Sequence, residues 1–395
     1  MKITALLDAL NIALAEPFAL AWSQDSPHFL LVFTAVYAVA VIVTVTDQKN
    51  TRPGAEHGSA AWGDVFRLNK FYINLHEKSW IYMYDIISLG EILIDLTQCG
   101  VNEQGVVQLA ANPGGAPANM AVAASRLGCR TAFIGKVGRD AFGDSLRKTL
   151  QENGVDTSAM LTDPVQPTTL AVVTLDATGE RSFSFYRNPG ADTMLRADEV
   201  PQAILENTKF FHFGSVSLTA DPERTATLDA VRRAKKAGAA ITFDPNYRAN
   251  LWPNAETAVE QIEAAMPLAD ILKVSDEEME LLTGCTDPEV GSRKLAERGI
   301  PLVLVTLGAD GACYRMGDVY GKVDGIAVKV GDTNGAGDTF LGAFLSRIKE
   351  ADILTELDSA KLREAVAFAN KAAGITTSRH GAMPAMPTLA EVLGE

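Results

Sequence analysis

The sequence predicts an α/β fold, a doubly wound and mostly parallel sheet carrying a small β lid. Three observations lead there. Short apolar runs at 85–93, 131–137, 210–215, 241–245, 271–274 and 301–306 alternate with helix-length segments, the rhythm of βαβ units. That rhythm breaks at 168–186, where LAVVTL and SFSFY are joined by residues 176–180, a hairpin signal. Near the C-terminus, residues 330–344 read VGDTNGAGDTFLGAF, a glycine-rich loop running straight into an apolar helix.

Composition narrows the class. At 395 residues the chain is long enough for two average domains or one large α/β unit. With 47% hydrophobic and 21% charged residues it can build a sizeable core and is not a disordered chain. The net charge of −14, without a basic patch, argues against a nucleic-acid partner. Cys99, Cys129, Cys285 and Cys313 are scattered. Neither a zinc site nor a disulfide framework is expected, and reduced thiols fit a cytoplasmic protein.

Residues 1–82 do not share the later rhythm. The stretch 3–22 is apolar but carries Asp8, Glu16 and Pro17, at most a broken amphipathic helix. The run 29–45 has no charge and reaches the short end of the roughly 17–25 residues a membrane helix needs; a buried helix or strand is the alternative. Lys49 and Arg52 follow it, against Lys2 alone before it, which would leave the rest of the chain in the cytoplasm. It lacks the layout of a secretory signal. Residues 65–82 show no sustained period, and Met83 stands just before the first regular strand. The expected organisation is an extension, 1–82, followed by one catalytic domain, 83–395. The extension arises from a fusion or a start placed too early, or else it tethers the domain to a membrane through 29–45.

From Tyr84 the elements follow in order. Residues 85–93 are read as one buried strand ending at Glu91, with Asp95 just beyond it. In an open parallel sheet ligands sit past the carboxyl ends of strands, so Asp95 is placed to hold hydroxyls, or is an ordinary turn aspartate. A short strand at 106–109 stands apart from the main sheet. A helix over 118–127 ends at Gly128. The hairpin at 168–187, with a strand near 104–110, would form a small sheet over the site.

The chemistry centres on 330–344. Gly335, Ala336 and Gly337 let a backbone come close to a ligand. First-turn amides of the helix and its dipole make an anion site. Asp338 stands at the helix start beside that cradle. A carboxylate next to an anion cradle suits phosphoryl transfer: it takes the proton of an attacking hydroxyl while the amides offset charge on the moving phosphoryl. An ordinary helix cap is the competing reading of Asp338.

A second stretch, 112–128, reads NPGGAPANMAVAASRLG. Together PGGAPAN and DTNGAGDTF resemble the two signature regions of the ribokinase/PfkB-type carbohydrate kinases, in the family's order. No Walker-type G-x-x-x-x-G-K loop occurs. The resemblance runs from about 84 to the C-terminus. The blocks FYRNPGAD, HFGSVSL, DPNYRANLW, KVSDEEMELLTG and RHGAMPAMPT are similar to the fructokinase branch. Separately, 51–64, TRPGAEHGSAAWGD, resembles the segment after the membrane helices of type IV secretion coupling proteins.

The kinase resemblance implies a ribokinase-like fold and an ATP-dependent fructokinase making fructose 6-phosphate, with Asp338 as base and the amides of Gly335, Ala336 and Gly337 at the transition state. It places Asp95, Gly114, Gly115 and Asn119 on the sugar. Arg187, after a lid strand, is expected to reach the sugar or its phosphate, or else to form a surface ion pair. Thr306, Gly308 and Gly311 match the family's nucleotide-phosphate loop, and Asn370 matches a position lining the adenine pocket. Glu278 matches a glutamate that orders Mg²⁺ through water, although Ser275 stands where many members carry asparagine. Asp332, Asn334 and Gly381 resemble a K⁺ site. A homodimer is a candidate assembly. The alternatives are a kinase for ribose or 2-keto-3-deoxygluconate, or, in another class, a membrane-anchored secretion stub with a passenger kinase domain.

Overall fold

The computed structural model describes residues 83–175, 181–351 and 357–395. The 29–45 run and the rest of the 1–82 extension lie outside them. Among the described residues no helix is long and apolar enough to cross a membrane.

In chain order the elements are β1 (Tyr84–Leu89), β2 (Leu93–Val101), β3 (Val107–Gly114), α1 (Ala116–Arg126), β4 (Thr131–Gly138), α2 (Ala141–Glu152), β5 (Val155–Asp156), β6 (Met160–Asp163), β7 (Leu170–Leu175) and β8 (Arg181–Tyr186). There follow α3 (Gln202–Leu205), β9 (Thr208–Gly214), α4 (Glu223–Lys236), β10 (Ala240–Asp244), α5 (Ala255–Ala265), β11 (Ile271–Ser275), α6 (Asp276–Thr283), α7 (Pro288–Ala296) and β12 (Leu302–Thr306). The chain ends with β13 (Ala312–Met316), β14 (Val319–Val323), α8 (Ala336–Ile348), α9 (Ser359–Thr377) and α10 (Leu389–Leu393).

The main sheet runs β14-β13-β12-β11-β10-β9-β1-β4-β5, with β6 also on β4. Pairing is parallel from β4 through β1, β9, β10 and β11 to β12. The β13–β14 hairpin closes one edge antiparallel, so the sheet is mixed. Its central strands are mostly apolar because both faces are covered, and alternate residues serve opposite layers. Ile87, Phe211, Phe213 and Phe243 pack on one face. Ile86, Phe210, Leu302 and Leu304 pack on the other, against Phe340 and Phe344 of α8.

The second sheet has the order β3-β2-β7-β8. It is the expected lid, but larger than the strands near 104–110 and 168–187. The reading of 85–93 as one strand is corrected here. β1 ends at Leu89 and β2 begins at Leu93, so Asp95 belongs to the lid sheet and not to the end of a main strand. The break falls at Gly90, where φ is 151° and a Cβ would sit 2.7 Å from Cγ of Pro117. Only a bare backbone passes that close to the start of α1. The turn 176–180 lies outside the described residues.

Candidate active site

A cavity of about 510 Å³ opens where the main sheet meets the lid. Residues just past the carboxyl ends of parallel strands line it: Glu91 after β1, Val216 after β9, Asn246 and Arg248 after β10, Glu278 after β11 and Gly308 after β12. Leu93 and Asp95 of β2 and Phe185 of β8 close it from the lid side. This is where open α/β sheets bind ligands.

Asp338 sits at the floor, the third residue of α8 and 7% exposed. The loop enters the helix through Gly335 in the left-handed region, φ 74°. A Cβ there would fall 3.0 Å from that of Ala382. First-turn amides have no acceptor within their own helix. That of Ala336 meets the carbonyl of Thr333 at 3.4 Å, and Gly335, Gly337 and Asp338 line the cavity. Asn119 Nδ2 donates to Asp338 Oδ2 at 2.8 Å and Asn246 Nδ2 donates to Oδ1 at 3.1 Å. The first contact depends on close helix packing. A Cβ on Gly342 would lie 2.9 Å from the Met120 carbonyl and 3.0 Å from Ala123 Cβ, and α1 is alanine-rich along that face. Burial, then the neighbouring Asp244, push Asp338 up to about 6, while Asn119, Lys273 and Arg248 pull it down. Its value suits a base that works near neutral pH.

Asn119 thus does something the sequence reading did not assign: it holds the carboxylate. Its Oδ1 is buried and unpartnered, so the same side chain keeps an acceptor for a ligand. Three further residues were not singled out. Asn246 adopts φ 44°, a conformation asparagine tolerates better than most residues. Its amide N–H is tied to Asp244 Oδ1 at 3.1 Å. Asp244 Oδ2 in turn accepts from Lys273 Nζ at 2.9 Å. The signal available for Lys273 was a lysine inside the otherwise apolar strand ILKVS.

On the lid side, Asp95 faces the cavity. Burial pushes it up to about 6; Arg248 lowers it, and the charges of Asp332 and Asp338 raise it. Gly114 does not line the cavity. A Cβ there would fall 2.3 Å from Asp95 Oδ2, so the bare backbone at Gly114 makes room for that carboxylate. Gly115 lines the wall with φ 104°. Glu91 Oε1 accepts the Ala116 amide at 3.0 Å, and burial pushes this carboxyl up to about 7.

Arg187 is also corrected. It neither reaches the cavity nor forms a surface ion pair; its side chain is 5% exposed. Nε meets Asp192 Oδ2 at 2.6 Å, one terminal nitrogen meets Thr219 at 2.6 Å, and the other meets Glu223 at 2.8 Å and the Val216 carbonyl at 3.2 Å. With four of its five donors taken up, the guanidinium ties the end of the lid hairpin to the body. Burial alone would lower its basicity, but Asp192 and Glu223 outweigh that.

Thr306 and Gly308 line the cavity where β12 ends. Gly311 and Asn370 do not. A Cβ on Gly311 would meet the Val323 carbonyl at 2.2 Å, and Asn370 Nδ2 donates to the Val323 and Asp324 carbonyls at 3.0 and 3.2 Å. Both residues shape the segment after β14. Glu278 lines the cavity, yet each oxygen already accepts an amide, Oε1 from Tyr247 at 2.7 Å and Oε2 from Ser275 at 2.8 Å. Ser275 caps α6 by accepting the Glu278 N–H. Asp332 accepts the Asn334 and Gly381 amides at 3.0 and 3.1 Å, clamping the loop before α8 to the 379–382 turn.

Comparison with known proteins places this geometry. The description "pfkB family carbohydrate kinase" matches residues 83–389. Fructokinase-1 of Zea mays is 47% identical, over 78% of this chain and 96% of that protein. The crystal structure of fructokinase with bound ATP from Xylella fastidiosa aligns with a TM-score of 0.72 at 35% identity, over 78% of this chain and 97% of that one. A double-mutant fructokinase from Vibrio cholerae O395, in its fructose-, ADP- and potassium-bound form, aligns with a TM-score of 0.71 at 37% identity, over 78% of this chain and 97% of the other. A match of that extent, over a loop and helix that present a buried carboxylate to a cavity beneath a β lid, makes this chain a member of the pfkB family of carbohydrate kinases.

Proposed function

We propose that the protein is an ATP-dependent fructokinase that phosphorylates the 6-hydroxyl of fructose. The observation that carries this is Asp338, buried in the first turn of α8 and held by the side-chain amides of Asn119 and Asn246. Asp338 takes the proton of the attacking hydroxyl. The first-turn amides beside it offset charge on the phosphoryl group. Asp95 and the free oxygen of Asn119 hold sugar hydroxyls, and Phe185 closes the site from the lid.

The residues present fit magnesium held mainly through phosphate oxygens and water. Among the described residues no three carboxylate, histidine or cysteine side chains converge on one point, while Asp276, Glu277 and Glu278 put negative charge on the wall beside the nucleotide end. When bound, magnesium neutralises charge on the phosphates. Glu278, with both oxygens on amides, serves it through water and by fixing the Tyr247 loop. The Asp332 clamp supports a potassium ion beside the loop; the Vibrio relative is described in a potassium-bound form.

The catalytic unit is residues 83–395, since each residue named above lies there; a chain beginning at Met83 is expected to retain full activity, and loss of turnover would make 1–82 part of the enzyme. The 29–45 run supports attachment of the full chain to a membrane, which fractionation of the two chains tests. A sugar panel tests the substrate. kcat/KM for fructose is expected to exceed that for ribose by at least ~10²-fold, about 2.7 kcal/mol of transition-state binding. Equal turnover of the two sugars would overturn the assignment to fructose.

A further inference from the structure

The residue left without a role is Lys273. It stands mid-strand in β11 between Leu272 and Val274, both fully buried, and is itself 5% exposed. A lysine is strongly hydrated and is rarely placed so deep unless paired. Its side chain reaches the cavity, which it lines together with Gly337 and Asp338. The ammonium lies against the first turn of α8: a Cβ added to Gly337 would be 2.8 Å from Nζ. A side chain at position 337 would have to push the lysine tip aside.

An ammonium carries three donors. Asp244 Oδ2, at 2.9 Å, takes one, which leaves donors for a ligand in the cavity. Burial would lower the basicity of the amine, but Asp244, Glu278 and Asp338 around it outweigh this and raise it. The group is a cation at neutral pH, beside the anion-binding turn and among carboxylates that would otherwise repel an incoming phosphate.

We propose that Lys273 is a catalytic residue of the transfer itself, its ammonium contacting the phosphoryl group in transit and offsetting the charge on its oxygens together with the α8 amides. The proposal rests on the phosphoryl-transfer reading above and adds a residue to it. In the step, the bond from the γ-phosphorus to the β–γ bridging oxygen breaks and its electron pair leaves on ADP. A bond forms from the γ-phosphorus to the sugar hydroxyl oxygen, and the hydroxyl proton passes to Asp338. Lys273 gains and loses no proton; it supplies field and hydrogen bonds where charge is spread in the transition state. A purely structural role is the competing account, in which Lys273 only neutralises Asp244 so that Asp244 can hold Asn246.

The two accounts separate in the full chain with Lys273→Met and the double variant Lys273→Met/Asp244→Asn, which removes both charges of the buried pair. The catalytic role predicts kcat lowered by ~10²–10³-fold in both, the range for loss of one oxyanion donor, with KM for fructose within about threefold of wild type, since uniform binding is untouched. It also predicts that ADP with aluminium fluoride and fructose, a mimic of the phosphoryl group in flight, binds at least ~10²-fold more weakly to the double variant while ADP alone does not. Recovery of more than a tenth of wild-type kcat in the double variant, or unchanged affinity for the mimic, would overturn the proposal in favour of the structural role. The double variant carries the test if the single one fails to fold. Failure of the wild-type protein to phosphorylate fructose would instead sink the substrate assignment; the variant-to-wild-type ratios are then read on the sugar that is turned over.

Discussion

Asn119 and Asp338, 219 residues apart in sequence, meet through a 2.8 Å hydrogen bond from the amide of one to the carboxylate of the other. The bond crosses the packed pair of α1 and α8, one helix following the sugar-side loop and the other following the anion loop. It couples the two signature stretches into one site. With a carboxylate as its partner the amide must present its NH₂ group, which leaves the buried Oδ1 without a partner.

Asn119→Leu should therefore damage the base as well as sugar binding. A hydrogen bond to a charged group is worth about 1.5–3 kcal/mol, so a ~10–10²-fold loss in kcat is expected. The hydrogen bond also holds Asp338 down, so the acid limb of the rate profile should move to higher pH in the variant. A change in KM alone, with kcat and the limb unmoved, would confine Asn119 to the sugar.

The pH dependence of the wild-type enzyme follows from two carboxylates. Asp338 and Asp95 are both raised to about 6, mainly by burial. A base must be ionised to act, so kcat/KM should be flat above pH 6 and fall as pH drops through it. The charge of Asp338 raises Asp95, and with both groups needed in the ionised form the log-scale slope should approach two in wild type and one in Asp95→Asn. A profile that stays flat down to pH 5 would contradict the assignment of either group.

The corrected place of Arg187 has its own test. Removing one partner of a buried ion pair typically costs about 3–5 kcal/mol, because the remaining charges are left uncompensated. Arg187→Met strands Asp192 and Glu223, each 1% exposed. A large fall in melting temperature is expected, and the folded fraction should keep near-normal KM values. Normal stability with a raised KM for fructose would restore the sugar-binding role.

How far the sequence could be read depended on whether a residue's role is local. The parallel strands were legible because burial on both faces writes mostly apolar runs. The loop into α8 was legible because glycines before an apolar helix have few other uses. What escaped reading was set by partners distant in the chain. Arg187 follows a lid strand, which suggests the cavity, yet its carboxylate partners Asp192 and Glu223 turn it into the body. Asn370 and Gly311 match motif positions, but both serve the backbone near Val323. The split of 85–93 into two strands depends on Gly90 passing Pro117, a contact that no local pattern records. Asn246 and Lys273 sat inside recognised blocks; their roles appear only once β10, β11 and α8 are side by side.

Asp338→Asn is the sharpest test. The substitution keeps the shape and a hydrogen-bonding group while removing the base and its charge. General-base removal typically costs ~10²–10⁴-fold. The upper end is expected here because Asp95 stands on the lid side, separated from Asp338 by the sugar's place in the cavity, and cannot take over. The asparagine also faces the NH₂ groups of Asn119 and Asn246, so one of its two ends is mismatched; Asp338→Ala checks that the loss is not this mismatch. Asp95→Asn should raise KM for the sugar as well as lower kcat, whereas Asp338→Asn should mainly lower kcat with sugar and ATP binding intact by calorimetry. If Asp338→Asn keeps more than about a tenth of wild-type kcat, less of a loss than base removal allows, then Asp338 is only the cap of its helix and the proton must leave by another route.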